Sequence, residues 1–237
     1  MMALPKLNTS PKYEMVIPST QETVRYRPYL VKEEKVLLMA FEQNDPKAAM
    51  KAIIDTILVC VDGKLDRKTL KTFDVEYMFT QIRAKSVGET SNINISCESC
   101  NTANLVEVNL ANVSMDSVVD ETTGVIEIQE GISVEVAFPS AERLLKVATS
   151  DASQTETLVN TLIASLVGIQ TEEERIDCSE ISVNDLREFV ESMTGDQFKM
   201  VAEWLGKIPT LTENVKFTCK KCEHENDREL RGLIDFF

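Results

Sequence analysis

The spacing of apolar and polar positions changes period several times along this chain, and each change marks an element. Residues 13–30, YEMVIPSTQETVRYRPYL, alternate weakly and are interrupted by Pro18 and Pro28, which predicts a short hairpin or extended segment after a loose arm over residues 1–12. In VKEEKVLLMAFE, Val31, Val36, Leu37 and Ala40 recur near helical spacing. Asn44-Asp45-Pro46 stops that helix and opens the next, with proline in its first turn. AAMKAIIDTILVCV reads as a second, largely internal helix. A third is predicted over 66–86, with Leu70, Phe73, Tyr77 and Ile82 on one side and Gly88 at its end. Three helices in this length make a helical subdomain over residues 1–92.

From Ile93 the period falls to two. Ile93 and Ile95, then Val106, Val108 and Leu110, flank the turn SCESCNTA and predict two short strands. VIEIQE and GISVEVAF meet at Glu130-Gly131 as a second hairpin. Helical spacing returns in SAERLLKVATS, TETLVNTLIASLVGI, SVNDLREFVESM and TGDQFKMVAEWLGKI, with QTEEERIDCSE as an acidic loop among them. Ser182, Asn184 or Asp185 can cap the third of these helices, and Thr194 or Asp196 the fourth. The last residues, NVKFTCKKCEHENDRELRGLIDFF, alternate again. The fold expected is α+β.

Two Cys-x-x-Cys turns lie far apart, Cys97/Cys100 and Cys219/Cys222. A shift of 122 positions superposes more than the thiols: Ile93 falls on Val215, Ile95 on Phe217, Asn104 on Asn226, Glu107 on Glu229 and Val108 on Leu230. Each copy is a strand, a turn carrying two thiols, and a returning strand, which is the form of half a zinc ribbon. One such turn offers two thiolates, whereas Zn²⁺ takes four ligands tetrahedrally, so two turns facing one another would close a structural Cys₄ site. The metal ligands expected are therefore Cys97, Cys100, Cys219 and Cys222, holding one Zn²⁺. A compact ribbon has roughly 15 to 20 residues between its turns; here 118 separate Cys100 from Cys219. Residues 93–110 and 215–237 then form a split ribbon around an inserted α+β domain, 111–214. His224, the one histidine, could stand in for a thiolate or bond to one. A thioredoxin-type redox role fits less well, since neither turn lies between a strand and a long helix. Cys60 and Cys178 are expected to be bystanders, one in an apolar helix and one in the acidic loop.

Charge supports the insertion. The chain of 237 residues has a net charge of −14, and residues 91–218 hold 22 acidic but only 7 basic side chains. That balance argues against an extended nucleic-acid face. No apolar run reaches the roughly 18 to 20 residues that span a bilayer, so no membrane partner is expected and the protein is placed in the cytosol. Six cysteines in a reducing compartment favour metal ligands or buried thiols over disulfides. A single histidine leaves serine- or cysteine-protease chemistry without a base, and no glycine-rich phosphate loop is present. Glu172-Glu173-Glu174 reads as a solvated run, and Met193, Phe198, Met200 and Trp204 as core packing. The terminal LIDFF either plugs the ribbon's core or docks on a partner.

PSTQETVRYRPYLVKEEKVLLMAFE (18–42), FDVEYMFTQIRAKSVGE (73–89) and the turn CESC resemble the T4-type bacteriophage baseplate hub and hub assembly protein family. The resemblance covers about residues 14–110 with the C-terminal turn, and is much weaker over 111–214. It implies a non-enzymatic late protein of a contractile-tailed phage that helps assemble the baseplate hub, as a subunit or as a chaperone. It also implies other hub proteins as partners, with a location in the host cytoplasm during assembly and in the virion if the protein is retained. Arg25-Tyr26-Arg27-Pro28 and Arg83–Glu89 are the segments expected to touch a partner; Arg83 and Lys85 could instead serve their own helix end. The competing reading is a zinc-ribbon module that binds nucleic acid or polymerase.

Overall fold

The computed structural model describes residues 10–43, 45–117, 122–149 and 153–236. Most of the arm expected at the N-terminus, and Phe237, lie outside them. Among the described residues the chain is mixed α and β, with seven α-helices and four small antiparallel sheets.

The N-terminal elements follow the sequence pattern closely. Strands β1 (Tyr13–Val16) and β2 (Thr23–Tyr26) pair as an antiparallel hairpin. Helix α1 (Val31–Glu42) begins where Glu33 turns back to accept the Leu30 N–H at 2.8 Å and binds Arg27 at 3.0 Å. Helix α2 (Pro46–Cys60) has Asp45 as its cap, accepting from the Lys47 N–H. Helix α3 is shorter than the spacing predicts, Thr72–Ser86. Residues 66–71 are drawn into other bonds. Asp66 caps its own turn through the Lys68 N–H, the Leu70 carbonyl accepts from Ala141, and Asp74 takes the Lys71 N–H.

Strands β3 (Thr90–Ser96) and β4 (Ala103–Asn109) form one hairpin; β5 is the pair Ser114–Met115. Strands β6 (Thr123–Gln129) and β7 (Ile132–Ala137) meet at Gly131 as predicted, and α4 (Ala141–Val147) follows. Helix α5 (Gln154–Ser165) stops short of its predicted end. Leu166–Gln170 is instead strand β8, which pairs with β7 and with β9 (Arg175–Asp177), so the expected acidic loop contains a strand. The β-branched Val167 and Ile169 around Gly168 suit a strand better than a helix. Helices α6 (Val183–Glu191) and α7 (Gly195–Leu205) are capped by Ser182 and Thr194. Strands β10 (Leu211–Thr218) and β11 (Glu225–Arg231) make the last hairpin, and β5 adds to the outer edge of β10. A single turn of 3-10 helix, Leu233–Phe236, ends the described chain.

Helix α3 contributes to three apolar clusters. Val75, Met78, Phe79 and Ile82 pack with α1, α2 and the first hairpin; Phe73 points into a second cluster with Val134, Phe138, Leu162 and Trp204; Ala84 joins a third with Ile95, Val108, Leu211, Leu230 and Phe236. Phe236 is fully buried, so the first phenylalanine of LIDFF plugs this third cluster. Fully buried Asp74 fastens the loop of the first hairpin to α3, accepting the N–H and hydroxyl of Ser19 at 2.9 and 2.6 Å. Glu76, two residues along, accepts the backbone N–H groups of Leu211 and Leu233, and burial pushes its carboxyl up to about 7. No helix among the described residues is long and apolar enough to cross a membrane.

A Cβ built on Gly124 would sit 2.5 Å from Trp204 Nε1. Gly124→Ala should therefore destabilise the second cluster by about 1–3 kcal/mol in denaturant unfolding, and an unchanged midpoint would contradict the contact. Glu76, with its folded-state carboxyl raised, binds a proton more readily folded than unfolded. Its contribution is fully present below the ordinary carboxylate range near pH 4.5 and is lost as pH rises towards 7, by at most about 3 kcal/mol. Stability measured across that window should fall less steeply in Glu76→Gln.

Candidate metal centre

The two Cys-x-x-Cys turns sit at the tips of the β3–β4 and β10–β11 hairpins, and the hairpins are copies of one another in detail. All seven residue pairs of β3–β4, from Thr90↔Asn109 to Ser96↔Ala103, become the seven pairs of β10–β11 on adding 122 to each number. The turns close alike. The Cys97 N–H donates to the Thr102 carbonyl and the Asn101 N–H to Cys97; the Cys219 N–H donates to His224 and the Glu223 N–H to Cys219. Asn101 and Glu223 occupy the same left-handed position, at φ 55° and 58°. Asparagine tolerates that conformation; glutamate there is strained.

Each hairpin grips the other through an asparagine. The Asn104 side chain accepts the Lys220 N–H at 2.9 Å, and the Asn226 side chain accepts the Glu98 N–H at 2.9 Å. Both amides also donate within their own turn, Asn104 to Thr102 at 2.8 Å and Asn226 to His224 at 3.0 Å. Both asparagines are buried, at 4% and 2% exposure. This cross-bracing makes the pair of hairpins approximately two-fold symmetric. The superposition of Asn104 on Asn226 was visible in the sequence, but its purpose is not; it emerges only once the hairpins face each other.

The same symmetry brings the four sulfurs together. Cys97 Sγ lies 3.6 Å from Cys222 Sγ, and Cys100 Sγ lies 3.6 Å from Cys219 Sγ. All four ligand atoms fall within 4.8 Å of one another. A disulfide needs about 2.05 Å. Sulfurs at the corners of a tetrahedron with metal–sulfur bonds of about 2.3 Å stand about 3.8 Å apart, so this spacing suits a shared four-coordinate metal. Cys97 and Cys219 are buried, and Cys100 and Cys222 open towards solvent.

Local donors bias Cys100 and Cys219 toward the anionic form that a metal requires. The backbone N–H groups of Lys221 and Cys222 hold Cys219 down to about 6, the former at 3.4 Å from its sulfur. Bonds from Thr102 lower Cys100. Cys222 receives the His224 N–H, yet the crowding sulfurs of Cys100, Cys97 and Cys219 push it up to about 12. Four thiols this close, with no cation among them, cannot all ionise together.

The other candidate residues fall elsewhere. The His224 side chain is exposed and stands apart from the four-cysteine cluster; its backbone N–H and carbonyl are what the turn uses. Cys60 is buried in the first cluster, where burial raises its thiol to about 11. Cys178, expected in a loop, is 2% exposed in the second cluster, its N–H bonded to Val167. Glu172, Glu173 and Glu174 are exposed. Of the segments expected to touch a partner, Arg25-Tyr26-Arg27-Pro28 is partly turned inward: Tyr26 is 2% exposed and Arg27 is bound to Glu33. In the other, Lys85 pairs with Glu89 one turn on.

A family model described as T4 bacteriophage base plate protein matches residues 10–237. The chain belongs to this family of phage baseplate proteins. No curated protein and no solved structure matches it.

The asparagine braces are open to direct test. Asn104→Ala and Asn226→Ala each strand one backbone N–H at the hairpin interface, which should cost on the order of 1–3 kcal/mol apiece in chemical unfolding. His224→Ala, which removes an exposed ring, should stay within about 0.5 kcal/mol of the parent. Asparagine variants as stable as the parent would contradict the bracing role.

Proposed function

We propose that the chain is a non-catalytic part of the baseplate hub, a subunit or an assembly chaperone, and that Cys97, Cys100, Cys219 and Cys222 bind one structural Zn²⁺. The observation carrying the metal reading is the convergence of four sulfurs at tetrahedral spacing from turns 118 residues apart. Four thiolates leave no open coordination position, so the ion's role is to tie the two hairpins into a zinc ribbon. Residues 93–110 and 215–237 are then the ribbon, 111–214 an acidic insertion, and 1–92 the helical subdomain packed beside it. Closing so long an insertion costs only about 2 kcal/mol more than closing a compact ribbon's loop. Structural zinc supplies on the order of 10 kcal/mol, more than enough to offset it.

The alternative of a nucleic-acid-binding ribbon meets an electrostatic obstacle. Of the five cations near the second turn, Lys216, Lys220, Lys221, Arg228 and Arg231, three are in ion pairs: Lys216 with Asp227, Arg228 with Glu98, and Arg231 with Asp116 and Glu229. These three already have carboxylate partners, within a chain of net charge −14. The hub role rests on the family membership and on the sequence resemblance to hub proteins. In this role the protein meets other baseplate components in the host cytoplasm.

Metal analysis of protein purified without added metal should find about one zinc per chain. The Cys97→Ser/Cys219→Ser variant should lose it and melt at lower temperature; metal-free parent protein that folds normally would sink the zinc assignment. Tagged chain recovered from infected cells should carry hub proteins, and its presence in or absence from purified particles separates subunit from chaperone. Tight DNA binding that weakens steeply with salt would favour the alternative.

A further inference from the structure

Among the described residues, the outer edge of β3 has no paired strand. β3 is bonded on one side only, in a two-strand sheet with β4. The bonds at its two ends, Leu110 N–H to Glu89 and Cys97 N–H to Thr102, fix the odd-numbered residues as those facing β4. Asn92, Asn94 and Ser96 therefore turn their main-chain N–H and C=O groups away from β4. They turn them into a cleft of about 560 Å³ lined by residues 92–96 on one wall and by Arg228, Glu229, Leu230 and Asp235 on the other. Five consecutive residues of β3 line it, so the cleft runs along the strand's edge.

The two walls differ in chemistry. β11 (ENDRELR) carries five charged residues in seven, and its Arg231 N–H is already taken by Asp235 at 2.8 Å. Such charges blunt an edge. β3 (TSNINIS) has no charge and no proline in seven residues. An unblunted edge of this kind is a template for another strand.

The chain itself shows what such an edge accepts. Adding 122 to β3 gives β10, whose outer edge is paired antiparallel with β5 over its first two residues, Thr212 opposite Ser114 and Leu211 opposite Met115, the positions that correspond to Thr90 and Glu89. Among the described residues, the second hairpin has a short third strand from within the chain and the first does not.

We propose that the β3 edge is completed by an extended segment of another baseplate protein, added antiparallel as β5 is to β10. Its main chain bonds Asn92, Asn94 and Ser96. Its alternate side chains, apolar, turn toward Ile93, Ile95 and Leu230. The occupant is polypeptide because only a second extended main chain offers donors and acceptors at the spacing of these groups. It comes from another baseplate protein because the chain belongs to a baseplate family; the inference does not depend on zinc or on the hub assignment.

Hydrogen exchange of the full chain, alone and as the tagged complex recovered from infected cells, tests this. Alone, the Asn92, Asn94 and Ser96 amides should exchange freely while those of Ile93 and Ile95 are protected; in the complex all should be protected, with the outward three slowed by ~100-fold or more. Asn94→Pro removes an outward N–H that the hairpin does not use, and Asn92→Lys/Asn94→Lys places charges on exposed positions. Both should keep the parent's thermal midpoint and metal content while recovery with baseplate proteins falls by at least ~10-fold. A complex with these amides open, or variants recovered as the parent is, overturns the proposal and leaves the hub reading intact. Protection that grows with the concentration of the isolated chain assigns the edge to a second copy and overturns the partner. Recovery of no baseplate protein overturns this proposal and the hub reading together.

Discussion

Two short hairpins, 122 positions apart, must meet tip to tip, and the rest of the chain is arranged around that meeting. The demand is geometric before it is chemical. Asn104 and Asn226 each satisfy a backbone N–H of the opposite turn, which fixes the register between hairpins to within a hydrogen bond. With that register set, Cys97 falls beside Cys222 and Cys100 beside Cys219. The sulfurs do not have to find one another; the buried amides place them. The chain between the hairpins must in turn leave Leu110 and return at Leu211, two residues that are both fully buried in the cluster beneath the turns.

Helix α3 carries this arrangement to the rest of the molecule. Its Phe73, Met78 and Ala84 enter three different apolar clusters, and Glu76 binds the backbone of Leu211, at the start of the last hairpin, and of Leu233, in the 3-10 turn after it. The helical N-terminal part, the inserted part and the paired hairpins are thereby held by one element.

Much of this was legible in the residues. Helix α1, Pro46 opening α2, the caps Ser182 and Thr194, and the turn at Gly131 all rest on local chemistry that a sequence states outright. The four cysteines were legible through spacing and through the copy 122 residues later. What was not legible depends on distant partners. Residues 66–71 fit a helical period, yet Leu70 is bonded to Ala141. Leu166–Gln170 continues a helical run, but lies between β7 and β9 and becomes a strand. Cys178 stands among acidic neighbours in sequence, yet its N–H is bonded to Val167 of β8 and its side chain is buried in the second cluster. The asparagines sat in plain view in the superposed copies; their role needs both hairpins in space.

The central claim is that the two hairpins share one metal ion, and X-ray absorption at the zinc edge on protein purified without added metal addresses it most directly. The account predicts a single environment of four sulfurs at about 2.3 Å, with no nitrogen or oxygen neighbour. That signal should lose its sulfur shell when Cys97 and Cys219 are replaced. A mixed sulfur and nitrogen shell would bring His224 back as a ligand, and a spectrum without sulfur neighbours would contradict the shared site.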